Sequence, residues 1–256
     1  MNHNNGGKPM DFESIYENSI RSIIDKFISS SDDFFLTEKD LHFHFFHYCL
    51  NKNSFEFKNR LLIHTEYPMP FKIRKRNLAE IVGDEEGGAM RPHIDSVLFN
   101  KNFVDWILKS SKSKKDIDNC IRGLGNIAFS KYIKDFRKIY SDFYKVSNEN
   151  FLSHCIEFKF IRGGYEGKSE PVKGIQYDLK KLLLLGIKNE NLSIPFSKKC
   201  TLLIFVGHRG KNTIKEFKEL NSKNPDLFNR FNRKDKLSGD GRHCVIRFDM
   251  REKYVR

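Results

Sequence analysis

Two side chains of opposite charge stand side by side in one of the most apolar stretches of the chain. Ser153 to Ile161 reads S-H-C-I-E-F-K-F-I, and strict alternation of this kind marks a strand with Ile156, Phe158 and Phe160 on one face and Glu157 and Lys159 on the other. Taking a carboxylate and an ammonium out of water costs free energy unless something compensates them. A cross-strand salt bridge on a solvated sheet face would do so, and so would a metal or a phosphate held in a cleft. Two more strand candidates favour the second reading. Arg91 to Phe99 (R-P-H-I-D-S-V-L-F) carries Asp95 in mid-run, and Leu61 to Pro68 (L-L-I-H-T-E-Y-P) carries Glu66 near its end. Carboxylates gathered from three strands repel one another unless a divalent cation lies between them, and oxygen ligands are what Mg²⁺ or Mn²⁺ takes.

The elements that must hold these residues follow from periodicity. Tyr16, Ile20, Ile23, Ile24 and Phe27 recur at helical spacing, which predicts an amphipathic helix over Asp11 to Ile28. Thr37 is the expected cap of a second helix to about Leu50, with Glu38 and Asp40 in the first turn, where the helix dipole favours acids. Leu41, Phe43, Phe45, Phe46 and Tyr48 make that helix apolar almost all round and predict burial against a sheet. His42, His44, His47 and Cys49 are all potential zinc ligands, yet a single helix fans them around its axis; core or partly exposed histidines are expected instead.

From Met69 to Met90 the sequence reads as loop, with Arg74, Lys75 and Arg76 ahead of a glycine- and acid-rich stretch over 83–88. Helical spacing recurs from Phe103 to Phe143, with a bend at Gly123 and Gly125. A glycine-rich turn then runs from Arg162 to Lys168 without the order of a phosphate-binding loop. Pro171 is expected to open a helix with Val172, Ile175, Leu179, Leu182 and Leu183 on its apolar side, Lys180 and Lys181 on its wet side, and Gly186 as its stop. Cys200 to Gly207 is apolar throughout, as a strand covered on both faces must be. A polar helix from Asn212 to about Leu220 follows. Next comes a basic loop holding Arg230, Arg233, Lys234 and Lys236 near Phe228 and Phe231, and a closing strand over His243 to Phe248. Short strands alternating with helices predict an α/β three-layer domain.

Charge and composition bound the partners. Lys and Arg number 46 against 33 Asp and Glu, a net charge of +13, and such an excess favours a polyanion. Arg74, Lys75, Arg76, Arg162, Lys168 and Arg233 are the candidate phosphate contacts. Cys49, Cys120, Cys155, Cys200 and Cys244 are an odd, scattered set without a C-x-x-C pair, which speaks for a reducing, cytoplasmic setting over a disulfide framework. Residues 1–10, rich in Asn and Gly, are expected to be a disordered lead-in without a signal peptide's apolar core, and the longest apolar runs are too short to cross a bilayer.

Glu66, Asp95, Glu157-Phe158-Lys159 and then a helix opening near Tyr177-Asp178-Leu179, in that order, resemble the PD-(D/E)XK nuclease superfamily. The resemblance covers about Thr37 to Gly207 and implies a restriction-endonuclease-like core around a central mixed sheet, built from 11–99 and 153–256. It makes 100–152 an inserted helical lobe, since the family joins the two site strands by a short hairpin, and Ile94-Asp95 departs from the family's Pro-Asp. It further implies a Mg²⁺- or Mn²⁺-dependent hydrolysis of phosphodiesters, most naturally in DNA. Asp95 and Glu157 would hold the ion, with the Phe158 carbonyl as a further ligand and Glu66 completing the shell or binding a second ion. Glu38 would be the supporting acid of the opening helix. Lys159 would orient or deprotonate water, or neutralise the attacked phosphate, and Asp178 would be structural. A homodimer, or a larger defence or repair assembly, fits such enzymes. Two rivals stand beside this reading: a catalytically silent nucleic-acid-binding subunit of the same fold, and an interaction domain whose acids only form salt bridges.

Overall fold

The computed structural model describes residues 22, 24–29, 37–51, 56–57, 60–69, 72–74, 77–82, 89–90, 92–110, 139–161, 169–186, 197, 199–207 and 210–251. Its centre is a mixed six-stranded sheet of order β10-β11-β9-β8-β7-β3. The strands are β3 (Ile63–Pro68), β7 (His93–Phe99), β8 (Leu152–Ile161), β9 (Cys200–Val206), β10 (Phe231–Leu237) and β11 (Cys244–Met250). Two smaller ladders flank β3 in sequence: β1 (Glu56–Phe57) with β2 (Arg60–Leu61), and β5 (Asn77–Val82), β4 (Lys72–Arg74) and β6 (Ala89–Met90) in that order. The stretch read as loop over Met69 to Met90 therefore contains three strands. Its basic cluster is placed only through the Arg74 backbone, Lys75, Arg76 and 83–88 lying outside the described residues.

The sheet puts the three acid-bearing strands next to one another. β3, β7 and β8 form an antiparallel meander, with Thr65 opposite Ser96 and Ser96 opposite Ile156. β8 then pairs in parallel with β9, Glu157 lying opposite Leu202 and Lys159 opposite Ile204. A parallel neighbour requires a crossover, and helix α5 (Ser169–Gly186) lies between the two strands in sequence. All seven residues of β9 are buried, as its continuous apolar run predicts.

Helices lie on both faces of the sheet. One face is covered by residues 24–29 (α1) and by α2 (Glu38–Leu50): Ile24, Phe27, Leu41, Phe45 and Cys49 pack there against Ile63, Leu98, Ile156, Phe158, Leu203 and Phe205. The other face is covered by α3 (Lys101–Ser110), residues 139–147 (α4), α5, α6 (Gly210–Lys223) and α7 (Pro225–Phe228). Phe103 and Phe143 sit 5.1 Å apart, ring to ring, and Phe103 stacks on Phe99 of β7. The two described ends of the expected insertion are thus part of the core; 111–138 lie outside the described residues. Each buried aromatic of this kind contributes roughly 1.5–3 kcal/mol.

Four further expectations need correction. Helix α2 buries one face, and Phe43 is 66% exposed. Helix α5 opens at Ser169, so Asp178 sits in its middle. Lys181 lies on no wet side, being 6% exposed, because α5 is pressed onto the Glu157 and Lys159 side of β8. The basic stretch 230–236 is largely strand β10, with a polar, exposed pattern after Phe231. Cys49, Cys155, Cys200 and Cys244 are free and buried, and among the described residues no helix is long and apolar enough to cross a membrane.

Candidate functional site

The site lies where β3, β7 and β8 meet the first turn of α2 and the middle of α5. Thr37 caps α2 reciprocally with Asp40: the Thr37 hydroxyl accepts from the Asp40 amide at 3.2 Å and the Asp40 carboxylate accepts from the Thr37 amide at 2.7 Å. That cap fixes where the helix begins. Glu38 and His42, one turn apart, then face the same way.

Asp95 leaves β7 to bond its neighbour strand directly, its Oδ2 accepting the Phe158 amide at 2.7 Å. The same oxygen is 3.4 Å from His42 Nε2, within ion-pair reach though without an aligned hydrogen bond. Glu66 has a positive φ of 50°, the left-handed region that non-glycine residues rarely adopt. The β3–β7 register is the same on either side of Glu66, Thr65 opposite Ser96 and Tyr67 opposite Ile94. Its Oε1 comes to 3.8 Å from His42 Nδ1. One ligand atom from each of His42, Glu66 and Asp95 falls within 4.8 Å of the others, a spacing at which one ion can be shared.

Glu157 is 1% exposed and bonds the Lys181 ammonium at 2.7 Å through Oε2, leaving Oε1 buried without a hydrogen-bond partner. Lys181 also donates to the His93 carbonyl at 2.9 Å and lies 3.7 Å from Asp178 Oδ1. Lys159 is placed elsewhere, 3.3 Å from Asp178 Oδ2 and 3.4 Å from Glu38 Oε2. Glu38 in turn accepts the Phe160 amide at 3.3 Å. Gly174 of α5 lies beside Lys159, where a Cβ would stand at contact distance, 3.4 Å, from its Cε.

The electrostatics follow from burial and from the surplus of carboxylates. Burial raises the Glu157 carboxyl well above the usual range; Lys181 opposes this, while Asp95 and Asp178 add to it. Asp178 is raised for the same first reason, against the pull of Lys181 and Lys159. Burial also works against charge on Asp95, but His42, the Phe158 amide and Lys181 outweigh it and lower its pKa. For His42 burial disfavours the proton, and Asp95, Glu38 and Glu66 together more than restore it, raising its pKa. Lys159 and Lys181 are both raised: burial opposes their charge, and Asp178 with Glu38, or Glu157 with Asp178, outweighs it. Strongly perturbed titratable groups gathered in one place are a mark of functional sites.

Asp95, Glu157, Lys159, Glu66 and Glu38 therefore gather in one region, and the Phe158 amide, rather than its carbonyl, is seen bonded there. Arg233 does not belong to it. Its guanidinium bonds Asp235 at 2.7 Å and the Ile214 carbonyl at 3.1 Å and lies over the Phe217 and Phe248 rings, so it secures α6 to the sheet. Arg162 and Lys168 lie outside the described residues. From sequence, His42 falls among core or partly exposed histidines, Lys181 on a wet side and Asp178 at the start of its helix. The only signal for them was helical: Glu38 to His42 is one turn of α2, and Asp178 to Lys181 is one turn of α5. Compared with protein-family models, with curated proteins and with solved structures, the chain finds no match.

Proposed function

We propose that this chain is a divalent-metal-dependent nuclease of the PD-(D/E)XK type, hydrolysing phosphodiester bonds, most naturally in DNA. One observation carries the reading: Glu157, Lys159 and Asp95 come from paired strands into one charge cluster, linked through Asp178 and Lys181, and the buried Glu157 Oε1 is left there without a partner. The donors fit a cation. Asp95, Glu66 and His42 supply three ligand atoms, and we take Glu157 Oε1, which lies outside that trio but is buried without a partner, as a further donor. An imidazole among carboxylates moves the preference from Mg²⁺ toward Mn²⁺. When bound, such an ion supplies Lewis-acid stabilisation of the charge that builds up on a phosphodiester.

The chain's own residues divide the remaining work. Asp178 and Glu38 hold the Lys159 ammonium in place from two sides; with a side chain 26% exposed, it can reach a phosphate oxygen and neutralise charge there. Phe43, exposed on the same helix as His42 and stacked on His47 at 6.2 Å, offers a ring against which an unpaired base can stack. The net charge of +13 supplies general attraction to a nucleic acid.

A second reading, a silent nucleic-acid-binding protein of the same fold, is favoured by one feature: Lys181 already neutralises Glu157. The experiment is a cleavage assay on duplex, single-stranded, branched and RNA substrates with Mn²⁺ or Mg²⁺, alongside Glu157→Gln. Metal-dependent cleavage lost in the variant is expected. No cleavage of any substrate by the wild type would leave the binding protein, and undiminished cleavage by the variant would point to a contaminant.

A further inference from the structure

We infer that Lys181 is a tethered counter-ion which competes with a divalent cation for Glu157 and thereby sets how much metal the site demands. The inference rests on the reading of this cluster as a metal centre. Lys181 reaches Glu157 from the neighbouring layer, with its ammonium shared among Glu157 Oε2 at 2.7 Å, the His93 carbonyl at 2.9 Å and Asp178 Oδ1 at 3.7 Å. Both members of the pair are buried, at 6% and 1% exposure, so neither exchanges its partner freely for water. The lysine of the E-x-K strand cannot fill this place, because it is held by Asp178 and Glu38.

The consequence is electrostatic. A cation on Glu157 Oε1 and an ammonium on Oε2 would share one carboxylate, and in a dry site two like charges so close repel strongly. Lys181 must then swing toward Asp178, or the ion must bind against its charge. Either way the tethered ammonium keeps Glu157 ordered and compensated without metal and lowers the site's affinity for metal. It restrains occupancy until the ion is abundant, or until a substrate brings further negative charge.

The test is Mn²⁺ binding to metal-free protein, followed by calorimetry and by the rise in thermal midpoint. Lys181→Met keeps the length of the stem and removes the charge. It should lower the midpoint without metal and bind Mn²⁺ roughly ten- to hundredfold more tightly than the wild type; Lys181→Arg should stay near the wild type. Equal or weaker binding by Lys181→Met overturns the inference while leaving the metal centre intact. Binding by Lys181→Met alone would support the inference in its strongest form, and binding by neither protein would overturn the metal reading with it. If Lys181→Met does not fold, Asp178→Asn with Lys181→Met removes one charge of each sign. That pair must bind Mn²⁺ more tightly than Asp178→Asn alone, or the inference fails.

Discussion

Replacing Asp95 by Asn and by Ala separates two tasks of one carboxylate. Its Oδ2 accepts the Phe158 amide at 2.7 Å and stands 3.4 Å from His42 Nε2. An Asn oxygen can accept the same amide, so Asp95→Asn keeps the strand-to-strand bond and loses the charge, whereas Asp95→Ala loses both. A hydrogen bond to a charged acceptor contributes about 1.5–3 kcal/mol, and a buried amide left unpaired costs about 1–3 kcal/mol. Relief of repulsion with Glu157 and Asp178 offsets part of the lost charge. Without metal, Asp95→Asn should lose about 1 kcal/mol and Asp95→Ala about 2–4 kcal/mol. Urea unfolding at neutral pH, followed by circular dichroism, measures both. Repeating the series with millimolar Mn²⁺ should stabilise the wild type and neither variant. Equal stability of Asn and Ala without metal would remove the Phe158 bond from the account, and a full Mn²⁺ response in the Asn variant would remove Asp95 from the ion's donors.

Further outcomes are open to measurement. Because the pKa of His42 is raised and that of Asp95 lowered, the contribution of His42 is complete below about pH 6.5 and is lost as pH rises through its raised value, while that of Asp95 is lost as pH falls below about 4. The stability gap between wild type and His42→Gln, about 1 kcal/mol near pH 5.5, should therefore narrow by pH 9; a constant gap would contradict this. Lys159→Ala should abolish cleavage while keeping most of the affinity for nucleic acid, and a parallel loss of both would make Lys159 a binding residue only. Arg233→Ala should cost about 1–3 kcal/mol of stability through lost packing and hydrogen bonds without altering the salt dependence of nucleic-acid binding. A shallower salt slope would return Arg233 to the phosphate contacts. Phe43→Ala should leave the melting point nearly unchanged and weaken single-stranded DNA by about 1–3 kcal/mol; unchanged affinity would remove the stacking role.

The strands that carry the acids were legible because their signal is local. Alternation in Ser153 to Ile161 separates Ile156 and Phe158, which pack under α2, from Glu157, which faces α5, while Lys159 reaches both Asp178 of α5 and Glu38 of α2. The partners of those residues were not legible. Lys181 looks solvent-facing beside Lys180, and only the packing of α5 on β8 shows that the first is buried and the second exposed. One helix cannot gather four ligands, an argument that holds for the helix of His42 itself and says nothing of Asp95 and Glu66 arriving from strands. β10 reads as loop because Asn232, Arg233, Lys234, Asp235 and Lys236 are polar; one side of an edge strand is free to be so.

The two edges of the six-stranded sheet bear on how the chain meets copies of itself. At one edge β10 shows Lys234 and Lys236 to solvent, so a second β10 laid alongside would set lysines against lysines. At the other, β3 turns Glu66 into the left-handed region, with φ 50°, and ends at Pro68, which has no amide hydrogen to offer. Neither border makes a good template for an added strand, and in a protein so rich in sheet that guards the folded chain against growth into fibrous aggregates. The distortion at Glu66 thus has a use independent of any ion: it blunts the border on which the site opens.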